Sequence, residues 1–407
     1  MTHGLQCTQC GEAYPLELRY LCPACQWPLK VTYAGMAPEA AQMPAGGGIW
    51  RHARSLPPAG GGNRVSLGEG NTPLLRLTKL DEARQLGEVH VKNEGLNPTG
   101  SFKDRGSAVA ASMALEFGIG TVVCSSTGNA GISAAAYAAA AGLRAVVLAG
   151  ENTDQGKLRL ISEYGARVVR VKGTVSTAYS LACRASASWR WMNVTSTFVN
   201  PFSVEGHKSV AYELLEQLGR VPDYVVVPVS VGPLLVGIFA GFLELREAGL
   251  SSRLPRMVAA QASRCAPLAR AFDRGDDRVA RWEGPVDTVA GGIADPLDGY
   301  EQEATYTLRV VRESGGCIVR CDDDSILDAR ARLAAAEGIL AEPTGAVSIA
   351  ALQRLQRDYR LDRAQVVSVV TGSGLKSAAV PPPTVASAAA IEPELPELKS
   401  FLEGERK

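Results

Sequence analysis

The sequence predicts an α/β protein whose parallel sheets are covered by helices on both faces, preceded by a small cysteine-bearing module. Three observations carry this. Short β-branched runs alternate with long Ala- and Leu-rich segments of helical spacing. Glycine- and hydroxyl-rich loops follow the predicted strands, where open parallel sheets bind ligands. Four of the nine cysteines fall within the first 25 residues.

The cysteine module comes first, over residues 1–35. Cys7-x2-Cys10 and Cys22-x2-Cys25 are separated by eleven residues. Each pair fits a tight turn that presents two thiolates to one ion, and four thiolates close a tetrahedral site. A structural Zn2+ is expected, with iron and a redox dithiol as alternatives. A module this short builds little core of its own, so metal binding would supply folding energy. The other cysteines, Cys124, Cys183, Cys265, Cys317 and Cys321, are scattered and read as core or surface residues.

A linker over 36–64 is rich in Pro, Gly and Ala, with Gly46-Gly47-Gly48 and Pro57-Pro58-Ala59-Gly60-Gly61-Gly62. From about Val65 the alternation starts. Strands are predicted at Thr121–Cys124, Ala145–Leu148, Ala166–Val171, Tyr224–Val229, Met257–Gln261 and Gln365–Val370. Helices are predicted at Ser133–Ala141, Ser209–Leu218 and Ala329–Glu337. The apolar stretch Val225–Leu245 contains Pro228, Gly232, Pro233, Gly237 and Gly241, so it reads as strand, loop and buried helix and not as a membrane span. Pro381-Pro382-Pro383 opens a tail over 379–407 with room for one short helix.

Bulk composition narrows the function. The chain has 407 residues, enough for two or three domains, and is 46% apolar and 21% charged, as soluble globular proteins are. Lys plus Arg equal Asp plus Glu, 42 against 42. Without a global basic field, neither nucleic acid nor a membrane surface is an expected partner. Residues 1–10 carry no basic start followed by an apolar run, so a cytoplasmic protein acting on a small molecule is expected.

Four loops carry the chemistry. Asn97-Pro98-Thr99-Gly100-Ser101-Phe102-Lys103-Asp104-Arg105-Gly106 turns at Pro98 and Gly100 and enters a helix near Ser101, with Ser101 or Thr99 as its cap. Lys103 falls in the first turn, where the helix dipole disfavours a cation and lowers the pKa of a free amine. Ser125-Ser126-Thr127-Gly128-Asn129-Ala130-Gly131 gathers hydroxyls, an amide and N–H groups at a helix start, a suitable anion site. Thr371-Gly372-Ser373-Gly374 could hold an anion or offer a hydroxyl to a ring nitrogen. Ser230-Val231-Gly232-Pro233-Leu234 could cradle a phosphate on backbone N–H groups.

Together, Asn97–Gly106, Ser126–Asn129 and Thr371–Gly374 resemble the fold-type II pyridoxal 5′-phosphate (PLP) enzymes, the tryptophan synthase β-subunit class. Glu69-Gly70-Asn71-Thr72-Pro73-Leu74, Lys103–Gly106 and Thr371–Lys376 resemble the threonine synthase branch. The likeness runs from Ser66 to Lys376, with the motifs in the family's order. It implies two doubly wound three-layer domains: a large PLP domain over 65–105 and 200–378, and a small mobile domain over 106–199. It also implies a homodimer. Residue by residue, Lys103 matches the Schiff-base lysine and Phe102 its neighbour beside the cofactor. Asn129 matches the amide that bonds the ring hydroxyl, and Thr371 the hydroxyl at the ring nitrogen. Ser126, Thr127 and Asn129 match the substrate-binding loop, and Val231, Gly232 and Leu234 the cofactor-phosphate loop.

Two departures from the resemblance stand out. Ala130-Gly131 occupies the place of a Thr-Ser pair, and Ser230-Val231-Gly232-Pro233-Leu234 stands where many of the fold-type II enzymes have a run of glycines. No distal phosphate site is evident; Arg105, Lys92, His207 and Lys208 are candidates by type. Asn200–His207 and Glu342–Ala346 read as helix starts. Three activities are therefore weighed. They are threonine synthase, β-replacement on O-phosphoserine or another activated amino acid (cysteate-synthase-like or in a specialised pathway), and an inactive zinc-ribbon binding protein.

Overall fold

Runs such as Val225–Val227 and Val366–Val367 are apolar at successive positions, which suits strands covered on both faces. In the computed structural model they become the middle of three-layered sheets. The structure describes residues 3–33, 48–151, 153, 155–173, 175–359, 364–376 and 392–404. Gly46-Gly47 and Pro381–Pro383 lie outside these.

The first strands, β1 (Gly4–Cys7), β2 (Ala13–Pro15) and β3 (Leu29–Thr32), form an antiparallel sheet in the order β2-β1-β3. The second sheet takes its strands from two stretches of chain: β4 (Leu74–Arg76) and β5 (Gly87–Asn93) early on, then four from the later part. The third has β6 (Thr121–Cys124), β7 (Arg144–Gly150), β8 (Arg167–Val171) and β9 (Met192–Asn193), all parallel, in the order β8-β7-β6-β9. The later strands of the second sheet are β10 (Tyr224–Pro228), β11 (Arg256–Ala262), β12 (Cys317–Cys321) and β13 (Ala364–Val370). Its order is β12-β11-β10-β13-β5-β4, parallel except for the edge strand β4. The chain is thus α/β with two helix-covered sheets and a small N-terminal sheet.

Three details of this frame position the site. First, β13 runs parallel to β5 with Val370 opposite Asn93, so the loops after both strands leave side by side. Second, the helix Lys103–Glu116 lies against the helix Pro201–His207 through glycines. A Cβ on Gly206 would fall 2.1 Å from the Arg105 carbonyl oxygen, and one on Gly106 2.9 Å from that of Ser203. Third, Leu5, Leu29 and Val31 of the N-terminal sheet share one buried cluster with Ala108, Met192, Val194 and Phe202.

The predicted strands are found with small shifts at their ends, and the Ser209–Leu218 helix has the predicted limits. The helix of Val225–Leu245 starts at Pro233, and no described helix is long and apolar enough to cross a membrane. β5 escapes the pattern because His90 and Lys92 alternate with Val89 and Val91, yet all four are buried. Asn200–His207 forms its own helix, capped by Asn200 Oδ1 accepting from the Phe202 and Ser203 N–H groups. Met1–Lys376 form one compact unit. Ser377–Lys407 form another, which contains the helix Leu395–Gly404.

Candidate active site

Every predicted loop leaves the carboxyl end of a strand, and Lys103 sits where the loops after β5 and β13 meet. Ser101 bridges Gly372, the Phe102 N–H donates to the Thr371 carbonyl at 3.1 Å, and the Ser373 N–H donates to the Gly100 carbonyl at 2.9 Å. The helix begins at Lys103, and neither Ser101 nor Thr99 caps it as predicted. Asp104, in the first turn, instead binds groups outside the helix. Its carboxylate accepts from the Thr99 N–H (2.7 Å), the Thr99 hydroxyl (2.5 Å) and the Ser133 hydroxyl (2.6 Å), which ties the lysine loop to the helix Asn129–Ala140.

The Lys103 amine lies 4.2 Å from the Phe102 ring centre and donates to Ser196 Oγ at 2.5 Å. Burial pushes its pKa down to about 8, with Glu342 and Cys124 opposing the shift. His207 also packs against Phe102, ring centres 5.3 Å apart. Burial, then Lys103 and Arg105, hold His207 well below the usual imidazole range, so it is neutral. Thr371 is buried, and its hydroxyl has no hydrogen-bond partner among the described residues. A buried hydroxyl without a partner is costly unless a ligand completes it.

Asn129 starts the helix after β6. Its amide nitrogen donates to both oxygens of Glu342, at 2.8 and 2.9 Å, and its oxygen accepts from Lys376 at 2.6 Å. Lys376 also donates to the Thr99 carbonyl at 2.7 Å. Gly372 permits this closeness, since a Cβ there would lie 2.4 Å from Glu342 Oε1. Burial raises the Glu342 pKa and lowers that of Lys376. Ser126 and Thr127 are half-buried at the rim. They join the site through Ser125, whose N–H donates to Thr195 Oγ1 at 2.9 Å, one residue from Ser196. The structure brings Lys103, Phe102, Asn129 and Thr371 together as the sequence led one to expect, and places beside them Ser196, Glu342 and Lys376, which sequence reasoning did not single out. Glu342 and Lys376 both stood at the ends of quoted motifs.

At the carboxyl end of β10, Gly232 has φ +112° and precedes Pro233, the first residue of the helix Pro233–Glu247. A Cβ on Gly232 would come within 2.4 Å of the Thr307 side chain, and Thr307 Oγ1 donates to the Val231 carbonyl at 2.6 Å. The turn is therefore a close-fitting backbone cradle at a helix start, where N–H groups lack intrahelical partners. Val231 and Leu234 share a buried cluster with Phe102. A partnerless hydroxyl, a half-buried lysine and this cradle fit the groups of pyridoxal phosphate.

The cations considered for a distal phosphate are otherwise engaged. Arg105 is fully buried and forked between Glu94 (2.7 and 2.8 Å) and Glu213 (2.6 and 2.8 Å). Lys92 pairs with Glu213 at 2.6 Å, and Lys208 with Glu205 at 2.5 Å and Glu244 at 2.7 Å. The Glu69–Leu74 motif serves this cluster: the Asn71 N–H donates to Glu213 at 2.8 Å and Thr72 to Glu94 at 2.7 Å.

At the N-terminus, the sulfurs of Cys7, Cys10, Cys22 and Cys25 all lie within 4.8 Å of one another, as free thiols. Separations of 3.4 Å (Cys7–Cys25), 3.6 Å (Cys10–Cys22) and 3.7 Å (Cys10–Cys25) approach the ~3.8 Å edge of a tetrahedron with ~2.3 Å metal–sulfur bonds.

Comparison with known proteins agrees with this geometry. The family described as "Pyridoxal-phosphate dependent enzyme" matches residues 65–372. Threonine synthase of Methanocaldococcus jannaschii is 36% identical over 380 residues, covering 91% of this chain and 92% of that one. That of Methanosarcina acetivorans is 36% identical over 385 residues, covering 92% of each. Among solved structures, serine racemase of Dictyostelium discoideum superimposes with a TM-score of 0.62 at 22% identity, over 75% of this chain and 92% of that one. The chain belongs to the pyridoxal-phosphate dependent enzyme family, of fold type II, with threonine synthases among its relatives.

Proposed function

We propose that the protein uses PLP held at Lys103 to eliminate and replace a group on a small amino acid. The reaction is that of threonine synthase, in which O-phosphohomoserine and water give threonine and phosphate. The protein is a PLP-dependent, threonine synthase-like lyase. The observation that carries the finer reading is 36% identity to threonine synthases across nine-tenths of both chains.

Bound PLP supplies an electron sink for a carbanion at the substrate α-carbon. Phe102 packs beside it, Asn129 holds its ring hydroxyl and Thr371 its ring nitrogen. The N–H groups of Val231, Gly232 and Leu234 hold its phosphate. A neutral hydroxyl at the ring nitrogen leaves that nitrogen unprotonated, which favours elimination and replacement over transamination. Lys103 moves the protons. Burial lowers its pKa to about 8, which favours the free amine, so Nζ can take the α-proton and return it later. Ser196 aims Nζ, and Ser126, Thr127 and Asn129 receive the substrate carboxylate.

A second reading is β-replacement on O-phosphoserine or a related activated amino acid. Gly131 favours it. A Cβ there would fall 2.1 Å from the Ser126 carbonyl oxygen, so the hydroxyl residue of the threonine synthase loop does not fit this backbone. The engaged Arg105, Lys92 and Lys208 favour it too. The test mixes PLP-loaded protein with O-phosphohomoserine and follows phosphate and threonine together. Stoichiometric release of both supports threonine synthase. Neither product, with turnover of O-phosphoserine by an added thiol or sulfite, replaces it with the second reading.

Three further assignments belong to this reading. Cys7, Cys10, Cys22 and Cys25 hold a structural Zn2+, checked by metal analysis of the purified protein. The 106–199 segment is the small mobile domain, checked by ligand-dependent scattering. The working unit is a homodimer, checked by sedimentation.

A further inference from the structure

The cysteine ribbon grips two of the elements that shape the site. Tyr20 Oη donates to the Trp191 carbonyl and accepts from the Asn193 N–H at 3.0 Å, clasping the backbone on either side of Met192 in β9. β9 is two residues long and pairs with β6 only at Val122–Met192 and Val123–Asn193, so its own ladder fixes it weakly. From Asn193 the bonds run on into the site. Its Oδ1 accepts from the Thr195 N–H at 3.0 Å, Thr195 Oγ1 accepts from the Ser125 N–H at 2.9 Å, and Ser196 Oγ accepts from Lys103. On the other side, Arg309 lies 4.5 Å over the Trp27 ring and donates to Gln9. Its helix, Glu301–Glu313, carries Glu303, which accepts from the Phe198 N–H at 2.8 Å, and Thr307, which holds the Val231 carbonyl.

We propose that the ribbon is a positioning element of the Lys103 site and that Tyr20 is its positioning residue. It acts through Asn193 on the turn that aims Ser196 at Nζ. This rests on the reading of Lys103 as the cofactor-bearing lysine. The four thiols set the shape of the ribbon, Tyr20 sets the register of β9, and the register of β9 places Ser196. A ribbon that loses its metal would therefore loosen the grip on Nζ without touching the site itself.

The test uses the full chain with Tyr20→Phe, and Arg309→Met as a second variant that leaves the tyrosine clasp intact. Four quantities are read: bound metal per chain, melting temperature, the cofactor dissociation constant, and the midpoint pH of the cofactor's visible absorbance. For Tyr20→Phe we expect metal content unchanged and the cofactor dissociation constant raised roughly fivefold to tenfold, the loss of two hydrogen bonds. The midpoint should shift by about 0.3 unit or more. Arg309→Met should weaken cofactor binding by a smaller factor, through the Val231 turn. A lower melting temperature with both cofactor readings at wild-type values overturns the proposal, because the tyrosine is then structural only. Wild-type values in all four readings for both variants overturn it as well. A wild type that takes up no cofactor overturns both this proposal and the functional reading beneath it.

Discussion

Lys103 and Arg105 stand two residues apart on one helix and meet opposite surroundings. Arg105 is fully buried, and Glu94, Glu213, Ser209 and Thr72 accept from its guanidinium. Burial alone would lower its pKa, but Glu213 and Glu94 more than offset that and raise it well above the ordinary value. Lys103 donates to a hydroxyl, and its pKa falls to about 8. The difference lies in the carboxylates. A buried cation with every donor matched holds the fold, whereas one with a neutral partner keeps a labile proton. Thr371 extends the contrast, since its buried hydroxyl is unmatched while Thr72, beside Arg105, is bonded.

The contrast can be broken at its strongest point first. Lys103→Ala should fold normally and lose turnover by about a thousandfold or more, checked by steady-state kinetics beside a melting curve. Turnover at the wild-type rate would end the assignment. Arg105→Leu should do the reverse, costing about 3–5 kcal/mol of stability by stranding Glu94 and Glu213, as denaturant unfolding would read. Arg105→Lys should not rescue it, because an ammonium cannot fork to two carboxylates.

Smaller changes sharpen the comparison. Thr371→Val removes a hydroxyl that no protein group uses. It should leave the melting temperature of the cofactor-free protein nearly unchanged and weaken cofactor binding by about tenfold, read by equilibrium titration. The smallest effect is on pH dependence. The folded protein lowers the Lys103 pKa from 10.5 to about 8, so between these values the unfolded chain binds more protons. Stability of the cofactor-free protein should therefore rise with pH through that window, relative to Lys103→Met, by of order 1–3 kcal/mol after allowance for solvent at a half-buried amine. Parallel stability curves for the two proteins would contradict the depressed pKa.

The legible part of the site was the part that is local in sequence. Glycine–hydroxyl loops after valine-rich strands exposed Lys103, Asn129, Thr371 and the Val231–Leu234 turn, because each loop owes its shape to neighbouring residues. The remainder depends on distant partners. Ser196 follows a strand too short to show periodicity and meets Lys103 from 93 residues away. Glu342 looked like an acidic helix start, and only the fold brings it to Asn129, 213 residues earlier. Arg105 looked available for a phosphate because Glu94 and Glu213 are 11 and 108 residues away. The ribbon's cysteines announced themselves by spacing, but its joint with β9 runs through Tyr20 across 173 residues. β5 hid behind His90 and Lys92, buried polar residues, and the cost of burying Lys92 is met by Glu213 from outside the strand.

Two lysines, Lys103 and Lys376, lie at this site with different partners: Lys103 meets the Ser196 hydroxyl, and Lys376 the Thr99 carbonyl and Asn129. Reducing the PLP-loaded protein with borohydride and mapping the modified peptide by mass spectrometry separates them directly. A single modified lysine, Lys103, is expected, with Lys376 recovered unmodified. Modification of Lys376, or of neither, would contradict it.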